Sequence, residues 1–254
     1  MPTENQHLLT DQIADWITVT IDRPAKRNAL DGEMMTALIQ TLGTVGRADQ
    51  PVKGITLCGG TEGFFCAGVD LKFFTQVYVE AQAGLADPTS QLFEALESFP
   101  KPLVGMAGTG ARAAGVGLLA ACDYVIADAQ ASFAVGGARL GVPPTPLVQV
   151  LRHKVGIGAA RRLLLSGEQL NAKQAQQLGL VDFVAPSQDA ARAKLYEIKR
   201  AFKASGPRAL AATKAALLGS SGPSFGQIMS GDEAKEGLRA FVEKRAPSWV
   251  KSDD

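Results

Sequence analysis

The chain has 254 residues, of which 46% are hydrophobic and 20% are charged, and its formal net charge is +1. These values are typical of a globular protein with a full-sized core, and they exclude a global field that would recruit nucleic acid or an anionic membrane surface. No apolar run approaches the roughly 20 residues of a membrane-spanning helix. With no basic N-terminal signal, three scattered cysteines and two histidines, we expect a reduced, cytoplasmic protein without a His-rich metal site.

The first third of the chain predicts alternating strands and helices. Ile13–Ile21 ends in apolar/polar alternation, which is typical of a strand. Asp31 can N-cap a helix that runs to about Ala48, with Met34, Leu38 and Leu42 on one face. A short strand at Gly54–Cys58 and a Gly-rich loop follow, and Val69 then opens a second helix.

The rest of the chain continues the alternation and then turns helical. We expect a surface loop at Ala81–Pro88 and a helix capped by Thr89 or Ser90. Further strands are predicted at Pro102–Ala107 and Asp123–Ala127, with a short helix between them. From Ala190 onward the pattern is almost entirely helical, with breaks at 205–207 and 219–224. This order of elements indicates an α/β core followed by a helical tail.

The segment Gly108–Ala113 matches a dinucleotide-binding fingerprint, because it follows a strand, opens a helix and precedes Asp128 by 20 residues measured from Gly108. Two features oppose that interpretation. The helix between Ala113 and Asp123 is short for a crossover, and the segment lies in the middle of the chain.

Two Gly-rich loops, FFCAGVD and ARAAGVG, each follow a short buried strand and open a helix. Backbone N–H groups at a helix N-terminus are unpaired and lie at the positive end of the helix dipole. Two such groups directed at one point would form an oxyanion hole. The alternative is that glycine and alanine only permit tight turns and close packing.

A set of basic residues is spread along the chain and could bind phosphates if the fold gathers it into a cluster. Otherwise these side chains are ordinary solvated charges. The set comprises Lys26, Arg27, Lys72, Lys244 and Arg245.

Many ordered segments of the chain resemble the crotonase superfamily, the enoyl-CoA hydratase/isomerase family. They include ITVTIDRPAKRNALDGEM, GGTEGFFCAGVDLK, KPLVGMAG and AAGVGLLAACDYVIADAQASFAV, and they continue through LGVPPTPLVQVLRHKVG and ARRLLLSGEQLNAKQAQQLGLVDFV to EGLRAFVEKR. The resemblance places GTGARA in the second oxyanion loop of the family, which removes the dinucleotide interpretation.

The resemblance implies an α/β fold with a ββα spiral core at residues 1–198 and a C-terminal helical trimerisation region at 199–254. It implies an enzyme that binds acyl-CoA thioesters and stabilises a thioester enolate, in fatty acid metabolism or a related pathway. It also implies a homotrimer or a dimer of trimers. Coenzyme A would enter as part of the substrate, and no further cofactor and no metal is expected.

The resemblance also assigns roles to individual residues. The first oxyanion N–H falls on Val69 and the second on Ala114, with Gly115 or Ala113 as alternatives because the loop is one residue longer than usual. The positions that meet coenzyme A in the family correspond here to Lys26, Ala67, Lys72 and Lys244.

The chain departs from the family at the two positions where hydratases carry their acid/base glutamates. These positions fall on Gly117 and Gly137, and a glycine cannot transfer a proton. Family isomerases often keep the second glutamate, which is also absent. We therefore expect that the protein is not an efficient two-glutamate hydratase.

Another acidic residue could take the role of the missing glutamates. Glu94 is the candidate acid or base, on a helix face shared with Glu97, and the alternative is that both are solvated surface acids. The remaining residues are explained without catalysis: Asp70 and Asp123 are predicted cap or turn acids, His153 is a surface or interface residue, and Cys66 is a small packing residue. Arg139 could bind an acid across an interface or, alternatively, a substrate carboxylate.

Three functions therefore remain open at this point. The first is a hydratase or isomerase that uses the oxyanion hole. The second is an acyl-CoA enzyme of another reaction type, such as a decarboxylase or a thioester hydrolase. The third is a non-catalytic coenzyme A-binding protein that kept the fold and lost the chemistry.

Overall fold

The computed structural model describes residues 5–60, 63–80, 87–219 and 222–250. Within these ranges, ten strands alternate with helices as far as the C-terminal third. The strands are β1 Leu8–Ile13, β2 Trp16–Ile21, β3 Gly54–Gly59, β4 Phe64–Cys66, β5 Leu103–Ala107, β6 Gly110–Arg112, β7 Tyr124–Asp128, β8 Ser132–Ala134, β9 Gln169–Asn171 and β10 Phe183–Ala185.

Ten α-helices lie within the described ranges, and the last four form the helical C-terminal region. They are α1 Gly32–Gly46, α2 Leu71–Thr75, α3 Pro88–Ser98, α4 Ala114–Ala120, α5 Val148–Ser166, α6 Ala172–Gln177, α7 Gln188–Ala204, α8 Pro207–Leu217, α9 Phe225–Met229 and α10 Asp232–Val242. The predicted domain boundary between residues 198 and 199 falls within α7, and the division itself stays a prediction. None of the described helices is long and apolar enough to cross a membrane.

Two sheets organise the core. The larger sheet has the order β1-β2-β3-β5-β7-β10, and all its pairs are parallel except β1 with β2. The smaller sheet has the order β4-β6-β8-β9, with β4, β6 and β8 parallel. Successive strand pairs, β3 with β4, β5 with β6 and β7 with β8, place their first member in the large sheet and their second in the small one. This repetition is the spiral that the resemblance implied.

Helix α1 confirms the pattern predicted from its sequence. The Asp31 side chain accepts a hydrogen bond from the Met34 N–H at 3.0 Å, so it is the N-cap. Met34, Leu38 and Leu42 are buried on one face. The interior is continuous from the large sheet to α3 and α4, which positions those two helices beside the loops that follow β4 and β6.

Several predicted boundaries were wrong. The strand predicted at Ile13–Ile21 begins at Trp16, and Ile13 is the last residue of a separate antiparallel strand, because the chain turns at Ala14, whose φ is +54°. The second helix begins at Leu71 and not at Val69, since Asp70 is its N-cap. The cap of α3 is Asp87 and not Thr89 or Ser90, because its carboxylate accepts both of their N–H groups. In the predicted 81–88 loop, residues 81–86 lie outside the described residues.

Candidate active site

Three loops meet at one end of the small sheet. Strands β4, β6 and β8 are parallel neighbours, so the segments that follow them leave the same edge side by side. Val69 follows β4, Ala114 follows β6, and Gly137 follows β8. The fold therefore brings together the two predicted oxyanion donors and one of the two glutamate positions.

The first loop presents the N–H group of Val69. The Leu30 N–H donates to the Gly68 carbonyl at 2.8 Å, and the Asp70 N–H donates to the Leu30 carbonyl at 2.7 Å. These two bonds fix the backbone on both sides of Val69. Within the described part of the chain, the N–H of Val69 itself has no acceptor. It is therefore free to bind an incoming oxygen.

The second loop presents the N–H of Ala114 at the start of α4. Ala113 adopts φ +46° and ψ −121°, a conformation that a residue with a Cβ rarely takes, and it turns the chain into the helix. The Ala113 N–H donates to the Ala134 carbonyl at 2.9 Å, so Ala113 is not an available donor. No acceptor among the described residues pairs with the N–H of Ala114 or of Gly115.

The two loops are in contact through Gly68. A Cβ on this residue would lie 3.2 Å from the Ala114 nitrogen and 2.8 Å from the Ala113 Cβ, and the φ of Gly68 is +102°. Only glycine fits this backbone without strain. The close approach brings the peptide groups that precede Val69 and Ala114 together, as two donors to one oxygen require.

Apolar side chains fill the space beside Gly117. A Cβ on this residue would lie 2.6 Å from Phe93 Cζ and 2.8 Å from Leu147 Cγ. Both side chains are buried, with 2% and 4% of their surfaces exposed. The position therefore lacks a carboxylate and also lacks room for one in this packing.

Gly137 is less enclosed than Gly117. It opens a short 3-10 helix that ends at Leu140, and its carbonyl accepts the Val142 N–H at 3.1 Å. A Cβ there would lie 2.9 Å from the Val142 carbonyl oxygen and otherwise nearly in open space. This loop offers backbone and volume in place of a proton-transfer group.

The candidate acid Glu94 lies on the exposed face of α3, whereas Leu92, Phe93 and Leu96 face the interior. Glu97, one turn further, is partly buried, and its Oε1 lies 3.5 Å from His153 Nδ1. The exposure of Glu94 favours the alternative that it is a solvated surface acid, and Glu97 lies beside His153.

The residues matched to coenzyme A contacts divide into two groups. The Ala67 N–H donates to the Arg27 carbonyl at 3.1 Å, which places Ala67 beside the Lys26 loop, and Lys72 follows two residues after Asp70. Lys26 and Lys72 are both exposed at this edge. Lys244 lies beyond the end of α10, and no described hydrogen bond or ion pair joins it to the other three.

Arg23 organises the first loop, and the sequence did not single it out. Its guanidinium donates to the Asp70 carboxylate at 2.8 Å and to the Ala29 carbonyl at 3.1 Å. Burial favours the neutral form of Asp70, yet hydrogen bonds from the Lys72 N–H and from Arg23 outweigh burial and lower the pKa of Asp70. The predicted structural role of Asp70 is confirmed.

Three further residues that the sequence singled out, Asp123, Arg139 and Cys66, have structural contacts. Asp123 accepts the Leu103 N–H and pairs with Lys214, and Arg139 donates to the Ser166 carbonyl at 3.1 Å. Burial raises the pKa of Cys66 to about 12, which removes it as a nucleophile at neutral pH. Within the described ranges, no group of three or more His, Cys, Asp or Glu side chains could hold a metal ion.

Comparison with known proteins agrees with this architecture. The family model described as enoyl-CoA hydratase/isomerase matches residues 13–252. The chain is 32% identical to 2,3-dehydroadipyl-CoA hydratase of Escherichia coli K12, over 92% of this chain and 94% of that protein. It is also 32% identical to a probable enoyl-CoA hydratase of Bacillus subtilis, over 91% and 93% of the two chains.

Solved structures have the same fold. Pseudomonas aeruginosa AtuE superimposes with a TM-score of 0.86 at 32% identity, covering 96% of this chain and all (100%) of that one. An enoyl-CoA hydratase/isomerase from Marinobacter aquaeolei gives 0.87 at 27% identity, with coverages of 97% and 100%. The chain therefore belongs to the enoyl-CoA hydratase/isomerase family and has the crotonase fold. It is an enzyme of that family that acts on acyl-CoA.

Proposed function

We propose that the protein binds acyl-CoA thioesters and stabilises a thioester enolate between the N–H groups of Val69 and Ala114. The observation that carries this proposal is the contact of the two loops at Gly68, with both N–H groups unpaired among the described residues. In this arrangement the thioester oxygen accepts both hydrogen bonds. Negative charge that develops on it is then stabilised by fixed dipoles and by the N-terminus of α4.

The reaction differs from two-glutamate hydration. Adding water across a double bond requires a base to activate the water and an acid to deliver a proton. Gly117 and Gly137 supply neither, and Phe93 with Leu147 occupies the space beside Gly117. The chemistry we propose therefore relies on the oxyanion hole, and solvent water accepts or donates each proton that leaves or joins the substrate.

Decarboxylation of a malonyl-type thioester is a second candidate, and the apolar packing at Gly117 favours it. An apolar wall destabilises a substrate carboxylate relative to water. The bond from Cα to the carboxyl carbon breaks, carbon dioxide leaves, and the electron pair passes to the enolate held by Val69 and Ala114. Water then protonates Cα. No step needs a carboxylate of the protein.

Binding of the coenzyme A part is assigned to the exposed edge around Lys26, Ala67 and Lys72, with Lys244 contributed by the C-terminal region. We propose no further cofactor. The C-terminal helices carry exposed apolar residues, Phe241 at 83% and Phe225 at 79% among them, which supports a homotrimer or a dimer of trimers. Three free thiols support a reducing, cytoplasmic setting.

Titration calorimetry with acyl-CoA esters tests the binding, and a spectrophotometric screen with crotonyl-CoA, a 3-enoyl-CoA and malonyl-type esters tests the chemistry. We expect binding of CoA esters, and turnover of a malonyl-type ester or a 3-enoyl ester in preference to crotonyl-CoA. Failure to bind any CoA ester would overturn the proposal. Hydration of crotonyl-CoA at about 10 per second or more would contradict the proposal that the protein is not an efficient hydratase.

A further inference from the structure

We propose that Phe93 is the specificity-determining residue that limits the length of the acyl chain about one helical turn beyond the oxyanion hole. This inference rests on the proposed acyl-CoA function. It assigns the upper limit on acyl length to a single ring. A longer acyl chain would occupy the volume that this ring fills once the ring is removed.

The first observation is the face of α4 that leads away from the oxyanion hole. Ala114, Gly117 and Ala120 are three residues apart, so they lie in a row along one side of the helix, and all three are buried. The row begins at the free N–H of Ala114. Six residues of helix rise about 9 Å, so Ala120 is about 9 Å along the axis from that donor.

The second observation is the contact at the middle of this row. Phe93 from α3 and Leu147 from the segment before α5 converge on Gly117, within 2.6 Å and 2.8 Å of where its Cβ would be. Because Gly117 has no side chain, the Phe93 ring can enter the space between the helices. The ring and the Leu147 side chain together close that space.

The third observation is a cavity of about 260 Å³ that is open to solvent and lies about one helical turn further along the same segments, with Phe93, Gly117 and Leu147 outside its lining. It is lined by Leu96, Ala120 and Val150, each of which lies three residues beyond Phe93, Gly117 and Leu147 respectively. The same three segments therefore form both the contact at Gly117 and part of the cavity lining. Its outer wall carries polar side chains, Glu97 and His153 among them.

These observations give a direct consequence for acyl length. In the wild type, an acyl chain that leaves the oxyanion hole along α4 meets the Phe93 ring after three residues of helix, which rise about 4.5 Å. Removing the ring vacates the volume that the ring fills between the two helices, and a longer acyl chain can then extend into that volume. Each methylene buried there would strengthen binding by about fourfold.

The experiment measures the dissociation constants of butyryl-CoA, octanoyl-CoA and free coenzyme A by calorimetry for the full-length wild type, Phe93→Ala and Phe93→Leu. We expect the wild type to bind butyryl-CoA at least as tightly as octanoyl-CoA. Phe93→Ala should gain about tenfold or more for octanoyl-CoA relative to butyryl-CoA, and Phe93→Leu should gain less. Circular dichroism will establish whether Phe93→Ala folds. If it does not, Phe93→Leu alone tests the proposal: a higher affinity for octanoyl-CoA relative to butyryl-CoA supports it, and an unchanged or lower relative affinity contradicts it.

The matched control is Phe99→Ala, which removes the same ring from the end of the same helix. Phe99 packs near Gly46, away from Gly117, so its removal should leave the ratio of the two affinities unchanged. If both Phe93 variants bind CoA esters with the wild-type ratio of octanoyl-CoA to butyryl-CoA affinity, Phe93 does not limit acyl length. That result would leave the proposed function intact. Absence of binding of every CoA compound to the wild type would overturn both.

Discussion

The ring of Phe93 lies so close over Gly117 that a Cβ atom on Gly117 would fall 2.6 Å from the ring's Cζ. The two residues are on different helices, and the contact exists because one of them is glycine. At this position the family's hydratases carry a catalytic glutamate, according to the resemblance. The loss of the carboxylate and the entry of the ring are therefore parts of one packing arrangement.

Gly117→Ala should destabilise the protein, because the added methyl group would overlap Phe93 and Leu147. Overpacking of this kind costs about 1–3 kcal/mol of the free energy of unfolding. The matched control is Gly158→Ala, which lies in the exposed part of α5 with no atom within 4 Å of the added carbon. That change should stabilise by up to about 1 kcal/mol through helix propensity. Denaturant titrations at one protein concentration measure both, and equal effects would contradict the packing described here.

Val69→Pro should lower turnover of a CoA ester by about 100-fold to 1,000-fold, because it removes one of two oxyanion donors. The N–H of Val69 has no acceptor among the described residues, so its loss breaks no described hydrogen bond of the fold. Steady-state kinetics on the ester identified by the screen measures the effect. Val69→Ala keeps the N–H and should retain activity within a few-fold. Similar losses in both variants would assign the effect to the side chain.

The alternation of strands and helices, the N-cap of α1 and the C-terminal helices were predictable because they follow from local patterns of apolar and capping residues. Strand β1 was not predictable in the same way. Five of its six residues, Leu9–Ile13, are exposed on an edge strand, so burial does not alternate along it. The cap of α2, Asp70, lies one residue after the predicted start of that helix, and the cap of α3, Asp87, lies two or three residues before the predicted cap. Helix ends are uncertain on this scale because neighbouring residues offer similar capping signals.

For the site, the sequence indicated the two Gly-rich loops, and the resemblance placed the glutamate positions at Gly117 and Gly137, which stay predictions. The sequence did not predict the contact of Phe93 with Gly117, because that contact joins residues 24 positions apart across two helices. The exposure of Glu94 follows from its helix, since Leu92, Phe93 and Leu96 form the buried stripe. The role of Arg23 depends on a carboxylate 47 residues away, so only the fold reveals it.

Asp70 should make a pH-dependent contribution to stability. Its pKa is lowered in the folded protein, despite burial, by the Lys72 N–H and by Arg23. A lowered pKa contributes stability above the unfolded value of about 3.9, and that contribution is lost as the pH falls through the folded value. The difference in free energy of unfolding between the wild type and Asp70→Asn should therefore be constant at neutral pH and shrink below about pH 5.

Asparagine is the useful comparison because it can still cap α2 after the charge is removed. Asp70→Ala loses the cap as well and should cost about 1 kcal/mol more. Denaturant titrations from pH 7 to about pH 4 separate the two contributions, since only the charge contribution varies with pH. A difference between wild type and Asp70→Asn that grows as the pH falls would contradict the assignment.

Cys66 and Cys122 should be unreactive toward alkylating reagents in the folded protein. Burial raises the pKa of each thiol to about 12, so at pH 8 only about one molecule in 10,000 carries the reactive thiolate at either position. Iodoacetamide labelling followed by peptide mass spectrometry should find both cysteines unmodified in the native protein and labelled in guanidinium chloride. Labelling should accelerate as the pH rises. Rapid modification of Cys66 alone at pH 8 would instead indicate an accessible nucleophile beside the oxyanion loops, contrary to its contacts with Gly68.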